Sequence, residues 1–260
     1  MTARTWLNVG KNALSWRNLR VMIGKVWLRL FDPVSARQRA AARDWCATHA
    51  ESAEEYARSL NEELWCEAVA FAQELRTKSL DRLGRVAVDL GGGGHYPLLY
   101  FLTRYLKPAA VLETGVAAGF SSAALLAALE RNQRGELFSS DFPYFRLDDP
   151  EQYIGIMVDD SLRHRWHLYT EGDRHNLPKI LGEIGQDVSL VHYDSDKSLT
   201  GKRYFVQSVA PRLASQNRAY WIFDDIDDDQ FFAEFVKESG CDYHVFAFEG
   251  KYLGVAEIRR

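Results

Sequence analysis

Apolar residues in the first third of the chain recur every three or four positions, which is the spacing of one face of an α-helix. One such face is predicted to end at Pro33, because proline cannot continue a helix, and it is formed by Leu19, Ile23, Val26 and Leu30. Two further helices are predicted over residues 36–48 and 53–78. Only helical patterns occur before residue 80, so residues 1–80 are predicted to be a helical extension that acts as a lid.

The pattern changes after a loop built on four consecutive glycines, within residues 89–95. Short apolar runs then alternate with helical stretches, such as those that begin at Ser121 and at Arg203. This alternation is typical of a mostly parallel sheet with helices on both faces. The predicted strands are residues 110–112, 136–139, 166–169, 188–193, 219–223, 243–248 and 252–258, and the last two form an antiparallel hairpin. Residues 81–260 are therefore predicted to be one α/β domain.

Composition limits the classes of protein to which the chain can belong. Its 260 residues, 47% of them hydrophobic, suffice for a buried core, and three scattered cysteines favour a reducing, cytoplasmic setting over a disulfide framework. The net charge of −4 is uneven, because residues 1–31 carry six basic residues and no acid, which leaves −10 for the rest. A net charge of −10 over the residues after 31 argues against nucleic acid as the substrate, because its phosphates are also negative. No stretch reaches the ~20 apolar residues that are needed to span a bilayer.

The basic segment 1–31 is expected to bury its apolar helix face against an acidic surface. Docking on its own domain or on the second subunit of a homodimer is the favoured interpretation, and peripheral contact with anionic lipid is the alternative. The basic residues of the segment are Arg4, Lys11, Arg17, Arg20, Lys25 and Arg29.

A glycine loop follows the first strand of the predicted sheet. Gly115 and Gly119 let the backbone approach a ligand closely. Ser121 is expected to cap the helix that follows and is counted with the two glycines among the cofactor-binding residues. The spacing differs from that of a dinucleotide-binding loop, and an acid, Glu113, precedes it. A carboxylate at this place would repel a pyrophosphate but attract the ammonium group of an amino acid. The loop therefore favours S-adenosylmethionine over a nicotinamide cofactor.

Two further acids stand at the tips of the next two strands. Asp141 is placed to accept hydrogen bonds from both ribose hydroxyls, and Asp173 is placed to flank the adenine. For any one of these positions the alternative is a turn glycine or a solvated acid. The whole set in this order is much harder to obtain by chance.

Three carboxylates follow the fourth and fifth strands, namely Asp194, Asp224 and Asp225. They should converge at one edge of the sheet, and such convergence is costly unless a cation neutralises it. Hard oxygen ligands favour Mg²⁺ or a similar ion. Lys197 is placed to act as the general base, with a pKa lowered by the nearby metal. The alternative, that acids of this region only cap the next helix, is favoured for residues 227–229.

Residues 96–122, YPLLYFLTRYLKPAAVLETGVAAGFSS, resemble the helix, strand and glycine loop of class I methyltransferases that use S-adenosylmethionine. The resemblance is closest to the small O-methyltransferase branch of the catechol and caffeoyl-CoA enzymes, and it extends to the C-terminus. It implies a Rossmann-like, doubly wound sheet of seven strands with an antiparallel last strand. It also implies that the counterparts of Glu113, Gly115 and Gly119 hold the methionine part of the cofactor and that of Asp141 holds the ribose.

The metal and base positions are also similar to those of the family. The spacing of Asp194 and Lys197 is that of a family motif whose acid binds metal and whose lysine takes the proton. Asp224 and Asp225 stand where the family has metal ligands. The gap before the next tyrosine is longer than in the caffeoyl-CoA type. The segment also resembles the DGDHSY variant of bacterial antibiotic and sugar methyltransferases, in which histidine replaces Lys197, so the identity of the base stays open.

These patterns lead to the hypothesis of a metal-dependent O-methyltransferase that acts on a small hydroxylated acceptor, a sugar or a secondary metabolite. Two alternatives stay open. One is a non-catalytic or scaffold member of the fold that binds the cofactor or a protein partner without turnover. The other is a methyltransferase that needs no metal or that transfers to nitrogen. The intact set of Asp194, Lys197, Asp224 and Asp225 argues against the non-catalytic member.

Overall fold

The structure is a computed structural model that describes residues 3–15, 18–19, 22–23, 34–84, 86, 88–185, 188–213 and 218–259. Within these ranges the α-helices are α1 (Ala3–Ala13), α2 (Ala36–His49), α3 (Ala53–Leu83), α4 (Tyr96–Leu106), α5 (Phe120–Asn132), α6 (Asp173–Glu183), α7 (Leu199–Leu213) and α8 (Phe231–Ser239). The strands are β1 (Ala50–Glu51), β2 (Ala110–Thr114), β3 (Glu136–Ser140), β4 (Trp166–Tyr169), β5 (Val188–Tyr193), β6 (Arg218–Phe223), β7 (Asp242–Phe248) and β8 (Lys251–Arg259).

The strands of the described residues join one sheet in the order β1-β7-β8-β6-β5-β2-β3-β4. Neighbouring strands are parallel except at β8, which runs antiparallel to both β6 and β7. The strand order reverses at β2, which has β3 on one side and β5 on the other. At such a reversal the loops that follow the strands diverge and leave a crevice for a ligand. The predicted doubly wound sheet with an antiparallel last strand is confirmed.

Alternate residues of the central strands face opposite sides of the sheet and enter two separate clusters of buried residues. In β2, Val111 belongs to the cluster that contains residues of α3, α4 and α5, whereas Leu112 belongs to the cluster with residues of α6, α7 and α8. In β6, Ile222 belongs to the first of these clusters and Trp221 to the second. Helices therefore cover both faces of the sheet, as the alternating pattern predicts.

The expectation of helices alone before residue 80 is wrong at one place. Residues Ala50–Glu51 form β1, which pairs in parallel with β7, so the sheet has eight strands instead of seven. A two-residue strand is too short to leave a periodic pattern, and it forms where the edge of β7 offers unpaired backbone groups. Trp65 and Leu75 of α3 are buried in the same cluster as residues of α4 and α5. The division of the chain at residue 80 stays a prediction.

The first helix lies against the loop that follows β3. Side chains of Asn8, Lys11 and Asn12 bond to residues 145–148 of that loop, and the Lys11 ammonium lies 2.6 Å from the Asp148 carboxylate. None of the helices in the described ranges is long and apolar enough to cross a membrane. The docking of the predicted apolar face stays a prediction, because two of its four residues, Val26 and Leu30, lie outside the described residues.

Candidate active site

The loop between β2 and α5 lies directly against two other stretches of backbone. Gly115 has a φ of 86°, and a Cβ atom there would lie 1.8 Å from the carbonyl oxygen of Asp194. Gly119 has a φ of 89°, and its Cβ atom would lie 2.7 Å from the Cα atom of Gly155. Both positions require glycine, because a side chain has neither the space nor the backbone conformation. The loop thereby brings the tip of β2 beside the tip of β5, where Asp194 lies.

Glu113 lies beneath this loop with its side chain fully buried. Its carboxylate accepts hydrogen bonds from the hydroxyls of Ser121 at 2.6 Å, Ser122 at 2.6 Å and Ser139 at 2.7 Å. These three hydrogen bonds tie the first turn of α5 to β2 and β3. The contact of Glu113 with the methionine part of the cofactor stays a prediction.

The prediction that Ser121 caps α5 is wrong. The helix begins at Phe120 with Gly119 at the N-cap, and no side chain accepts a capping hydrogen bond there. The cap position has a positive φ, which glycine adopts readily and serine does not. Ser121 therefore lies inside the helix, where its hydroxyl donates to Glu113 instead of accepting a backbone N–H.

The acids that follow β3 and β4 lie at the same edge as the glycine loop. The Asp141 carboxylate accepts hydrogen bonds from the backbone N–H groups of Val116 at 3.0 Å and Ala117 at 2.6 Å. Asp173, the first residue of α6, accepts a hydrogen bond from the hydroxyl of Ser195 beyond β5. These contacts hold the strand tips together. The contacts of Asp141 with a ribose and of Asp173 with an adenine stay predictions.

Three carboxylates converge beside the loop, as the sequence predicts. Asp194 follows β5, Asp224 and Asp225 follow β6, and one oxygen of each lies within 4.8 Å of the others. Removal from water and the two neighbouring charges raise the pKa of Asp194 well above its usual value, and burial with the charge of Asp225 raises the pKa of Asp224. Among the described residues, the buried Oδ2 atom of Asp224 has no hydrogen-bond partner. This set of oxygen donors fits a hard divalent cation such as Mg²⁺.

Two lysines bracket Asp225. Lys251 Nζ lies 2.8 Å from Asp225 Oδ1, while Lys197 Nζ contacts Oδ2 and lies 3.5 Å from Asp228. Burial opposes the charge of Lys197, but the hydrogen bond to Asp225 and the nearby negative charges outweigh it and raise the lysine pKa. The lowering of this pKa by a bound metal stays a prediction. Lys251 belongs to the hairpin of β7 and β8, and no sequence pattern indicated it.

The remaining acids after β6 make separate structural contacts. Asp229 accepts hydrogen bonds from the backbone N–H of Phe231 at the start of α8 and from Lys202 Nζ, both at 2.8 Å, and the Lys202–Asp229 pair is buried. Asp227 pairs with Arg43 of α2 at 3.0 Å. Gln230 occupies the N-cap position of α8, so the expectation that residues 227–229 cap this helix is met only in that Asp229 bonds the N–H of its first residue.

A cavity of about 160 Å³ adjoins the carboxylates. Gly92, Gly93 and Gly94 line one side, and Asp224 also borders the cavity. The hairpin lines the other side with Phe248, Glu249, Lys251, Tyr252 and Leu253. A Cβ atom on Gly94 would lie 2.7 Å from Asp224 Oδ2. The run of glycines, which the sequence indicates only as a loop, therefore lets the backbone pass directly beside the acidic cluster.

Comparison with known proteins agrees with this geometry. Residues 112–226, which contain the glycine loop and all three carboxylates, match the model of a family described as a methyltransferase domain. A comparison with curated proteins finds no match to the chain.

Solved methyltransferase structures share the fold. The O-methyltransferase from Bacillus cereus in complex with SAH is 14% identical, with a TM-score of 0.52 over 83% of this chain and 100% of that chain. TomG from Streptomyces achromogenes, an O-methyltransferase involved in tomaymycin synthesis and solved with SAM, is 16% identical, with a TM-score of 0.51 over 76% and 97%. A methyltransferase from Geobacter sulfurreducens is 14% identical, with a TM-score of 0.50 over 73% and 88%. With the family match, this likeness confirms the resemblance to class I methyltransferases.

Proposed function

We propose that this chain, a class I methyltransferase by its domain and fold, transfers a methyl group from S-adenosylmethionine to a hydroxyl oxygen of a small acceptor such as a sugar or a secondary metabolite. The observation that carries the proposal is the convergence of Asp194, Asp224 and Asp225 beside the loop of Gly115 and Gly119. A cofactor loop and an acidic cluster at one edge of the sheet would bring a methyl donor and an acceptor hydroxyl together.

The glycine loop and the acids around it support S-adenosylmethionine as the cofactor. Gly115 and Gly119 allow the close approach of a ligand to the backbone, and Asp141 lies beside them with a carboxylate suited to ribose hydroxyls. We assign Asp173 to the adenine end, and we assign Glu113 to the support of the loop from below. TomG was solved with SAM and the Bacillus cereus enzyme with SAH, and both share this fold.

The acidic cluster supports a divalent cation, Mg²⁺ or Mn²⁺, as a second cofactor. Asp194, Asp224 and Asp225 would hold it, because their oxygens converge and the buried Oδ2 atom of Asp224 lacks a partner in the described part of the chain. The pKa values of Asp194 and Asp224 are raised because both carboxylates are removed from water beside other negative charges, which a bound cation would offset. A bound divalent cation would lower the pKa of an acceptor hydroxyl in this place.

In the transfer, the acceptor oxygen forms a bond to the methyl carbon as the carbon–sulfur bond of the sulfonium breaks, and S-adenosylhomocysteine leaves. The hydroxyl proton must pass to a base at the same edge, and we assign that part to Lys197 Nζ. Lys197 Nζ contacts Asp225, and this contact raises the pKa of the lysine. Lys197 can accept a proton only when another cation binds the Asp225 carboxylate, because that carboxylate otherwise stabilises the charged form of the lysine.

The cavity between the glycine run and the hairpin is the proposed acceptor pocket. Its volume of about 160 Å³ lies below the ~300–1,000 Å³ of pockets that hold drug-sized ligands, which favours a small acceptor. Phe248 and Tyr252 supply aromatic surface there, while Glu249 and Lys251 supply polar groups. Asp224 joins this cavity to the acidic cluster.

Ligand-dependent melting tests the cofactor. S-adenosylhomocysteine at one hundred times its dissociation constant should stabilise the wild type by about 2.7 kcal/mol. Asp141→Ala should abolish the rise in melting temperature and Glu113→Gln should reduce it, while the control Asp227→Ala, outside the proposed cofactor site, should retain it. No shift at millimolar ligand, or a shift with NAD instead, would overturn the proposed cofactor.

Chelation tests the metal with a panel of sugars and phenols as acceptors. EDTA should remove methyl transfer and Mg²⁺ or Mn²⁺ should restore it, while S-adenosylhomocysteine still binds. Asp194→Ala should mimic EDTA, whereas Lys197→Ala should lower turnover and retain Mn²⁺ affinity. Full activity in EDTA would exclude the metal and leave the methyltransferase assignment standing.

A further inference from the structure

We infer that Arg82 is a positioning residue for the cofactor loop, acting through residues 155–159, which we call the support segment. The inference rests on the proposed function, since it takes residues 115–119 as the loop that binds S-adenosylmethionine. It gives the long helix α3, which precedes the region matched by the methyltransferase family, a part in holding the cofactor site.

The support segment is hydrogen-bonded to the cofactor loop along its backbone. The N–H of Gly155 donates to the carbonyl oxygen of Ala117, and the N–H of Met157 donates to that of Ala118, both at 2.9 Å. Met157 is buried in the core, which anchors the segment from within. Gly119 passes so close to Gly155 that a Cβ atom on Gly119 would lie 2.7 Å from its Cα atom. The second half of the loop therefore rests on this segment.

Arg82, in the last turn of α3, holds the support segment at its carbonyl groups. Its Nη1 atom donates to the carbonyl oxygens of Met157 at 2.9 Å and Ile156 at 3.3 Å, and its Nη2 atom donates to Asp159 Oδ1 at 2.5 Å. Lys78, one turn earlier, donates to Asp159 Oδ2 at 2.8 Å. The hydrogen bond from Lys78 and that from Arg82 lower the pKa of Asp159 against the effect of burial. The segment is thus bonded to α3 through its carbonyls and to the loop through its N–H groups.

An arginine suits this contact because a planar guanidinium can bond several acceptors at once, which a lysine ammonium does less well. The loop needs such support. Ala117 has a φ of 47°, a left-handed conformation that is unfavourable for alanine and persists only where neighbouring structure holds it. A support segment released from Arg82 would shift the two carbonyl contacts that hold Ala117 and Ala118 in place.

The test is Arg82→Met in the full-length protein, with three measurements. The dissociation constant of S-adenosylhomocysteine, measured by calorimetry, should rise about tenfold because charge-assisted hydrogen bonds are lost. Hydrogen exchange should accelerate in peptides that cover residues 115–119 and 155–159. Mn²⁺ affinity should stay within about twofold of the wild type, since the acidic cluster is held by other elements. Arg82→Lys should restore only part of the cofactor affinity.

The matched control is Arg58→Met, since Arg58 lies on the same helix and its ion pairs within the described residues, with Glu54 and Glu62, stay on that helix. It should leave all three measurements unchanged. Asp159→Asn, which weakens one of the bonds of Arg82, should raise the dissociation constant by a smaller factor and serves if Arg82→Met folds poorly. If both variants melt lower than the wild type but keep its cofactor affinity and its exchange at residues 115–119, the inference is wrong. A wild type that binds no S-adenosylhomocysteine would refute the proposed function. The hydrogen exchange of residues 115–119 in Arg82→Met would then still show whether Arg82 holds the loop in place.

Discussion

Asp224→Asn removes one of the three negative charges that converge at the edge of the sheet and leaves the shape of the side chain almost unchanged. Asp224 is only 4% exposed, and its Oδ2 atom has no hydrogen-bond partner within the described residues. We expect the variant to be more stable than the wild type when metal is absent and to lose any stabilisation by Mn²⁺. The residue would then be retained for ion binding at a cost in stability of the metal-free protein.

The geometry of the cluster gives the size of the effect. One oxygen of each carboxylate lies within 4.8 Å of the others, so at an effective dielectric constant of ~20 each pair of full charges repels by at least about 3.5 kcal/mol. Lys197 and Lys251 offset the charge of Asp225, and the raised pKa of Asp194 lets that group take up a proton instead. The net gain should therefore be about 2 kcal/mol, a rise of about 4–8 °C in melting temperature for a domain of this size.

The pH dependence of this gain has a definite sign. The pKa of Asp224 is raised from 3.8, so between 3.8 and the folded value the folded protein binds more protons than the unfolded chain. The stability of the metal-free wild type should then fall as the pH rises through that interval. Asparagine does not titrate, so the advantage of the variant should be largest at neutral pH and should shrink as the pH approaches 4.

Thermal unfolding in EDTA at neutral and at acidic pH measures the effect. Asp227→Asn is the matched control, because it removes the same charge from the same loop but breaks a pair with Arg43. It should leave the melting temperature unchanged or lower it. The reasoning is refuted if Asp224→Asn melts below the wild type in EDTA, or if it gains no more stability than Asp227→Asn does.

Two further predictions concern buried groups outside the cluster. Burial lowers the pKa of His95 from 6.5 to about 4, so the stability of the protein should fall as the pH drops through that interval. His95→Asn should reduce the difference between the free energies of unfolding at pH 7 and pH 5, measured in urea, by about 2 kcal/mol. An unchanged difference would contradict this assignment. Lys202→Met leaves the buried carboxylate of Asp229 unpaired and should cost about 3–5 kcal/mol by urea denaturation. The surface variant Lys179→Met should cost below about 1 kcal/mol, and equal losses in the two variants would refute a dry Lys202–Asp229 pair.

The sequence alone was enough to predict the kind and order of most elements after the glycine run. The strands β2 to β8 lie within about two residues of their predicted ranges, because the apolar period is set by how side chains project from their own element. The position of Gly115, Gly119 and the three converging acids also followed, since the carboxyl ends of parallel strands share one edge whatever the details of packing.

Only the tertiary structure decided which side chains meet. Ser121 does not cap its helix, because the helix already begins at Phe120 with Gly119 at the N-cap, and its hydroxyl bonds to Glu113 of β2. Lys197 is held by Asp225, which Lys251 also contacts from the hairpin of β7 and β8, and the contact with Asp225 raises the pKa of Lys197. A local pattern sets the direction of a side chain relative to its own helix or strand. The group that lies opposite depends on how all the elements pack together, and that is determined by contacts between residues far apart in the chain.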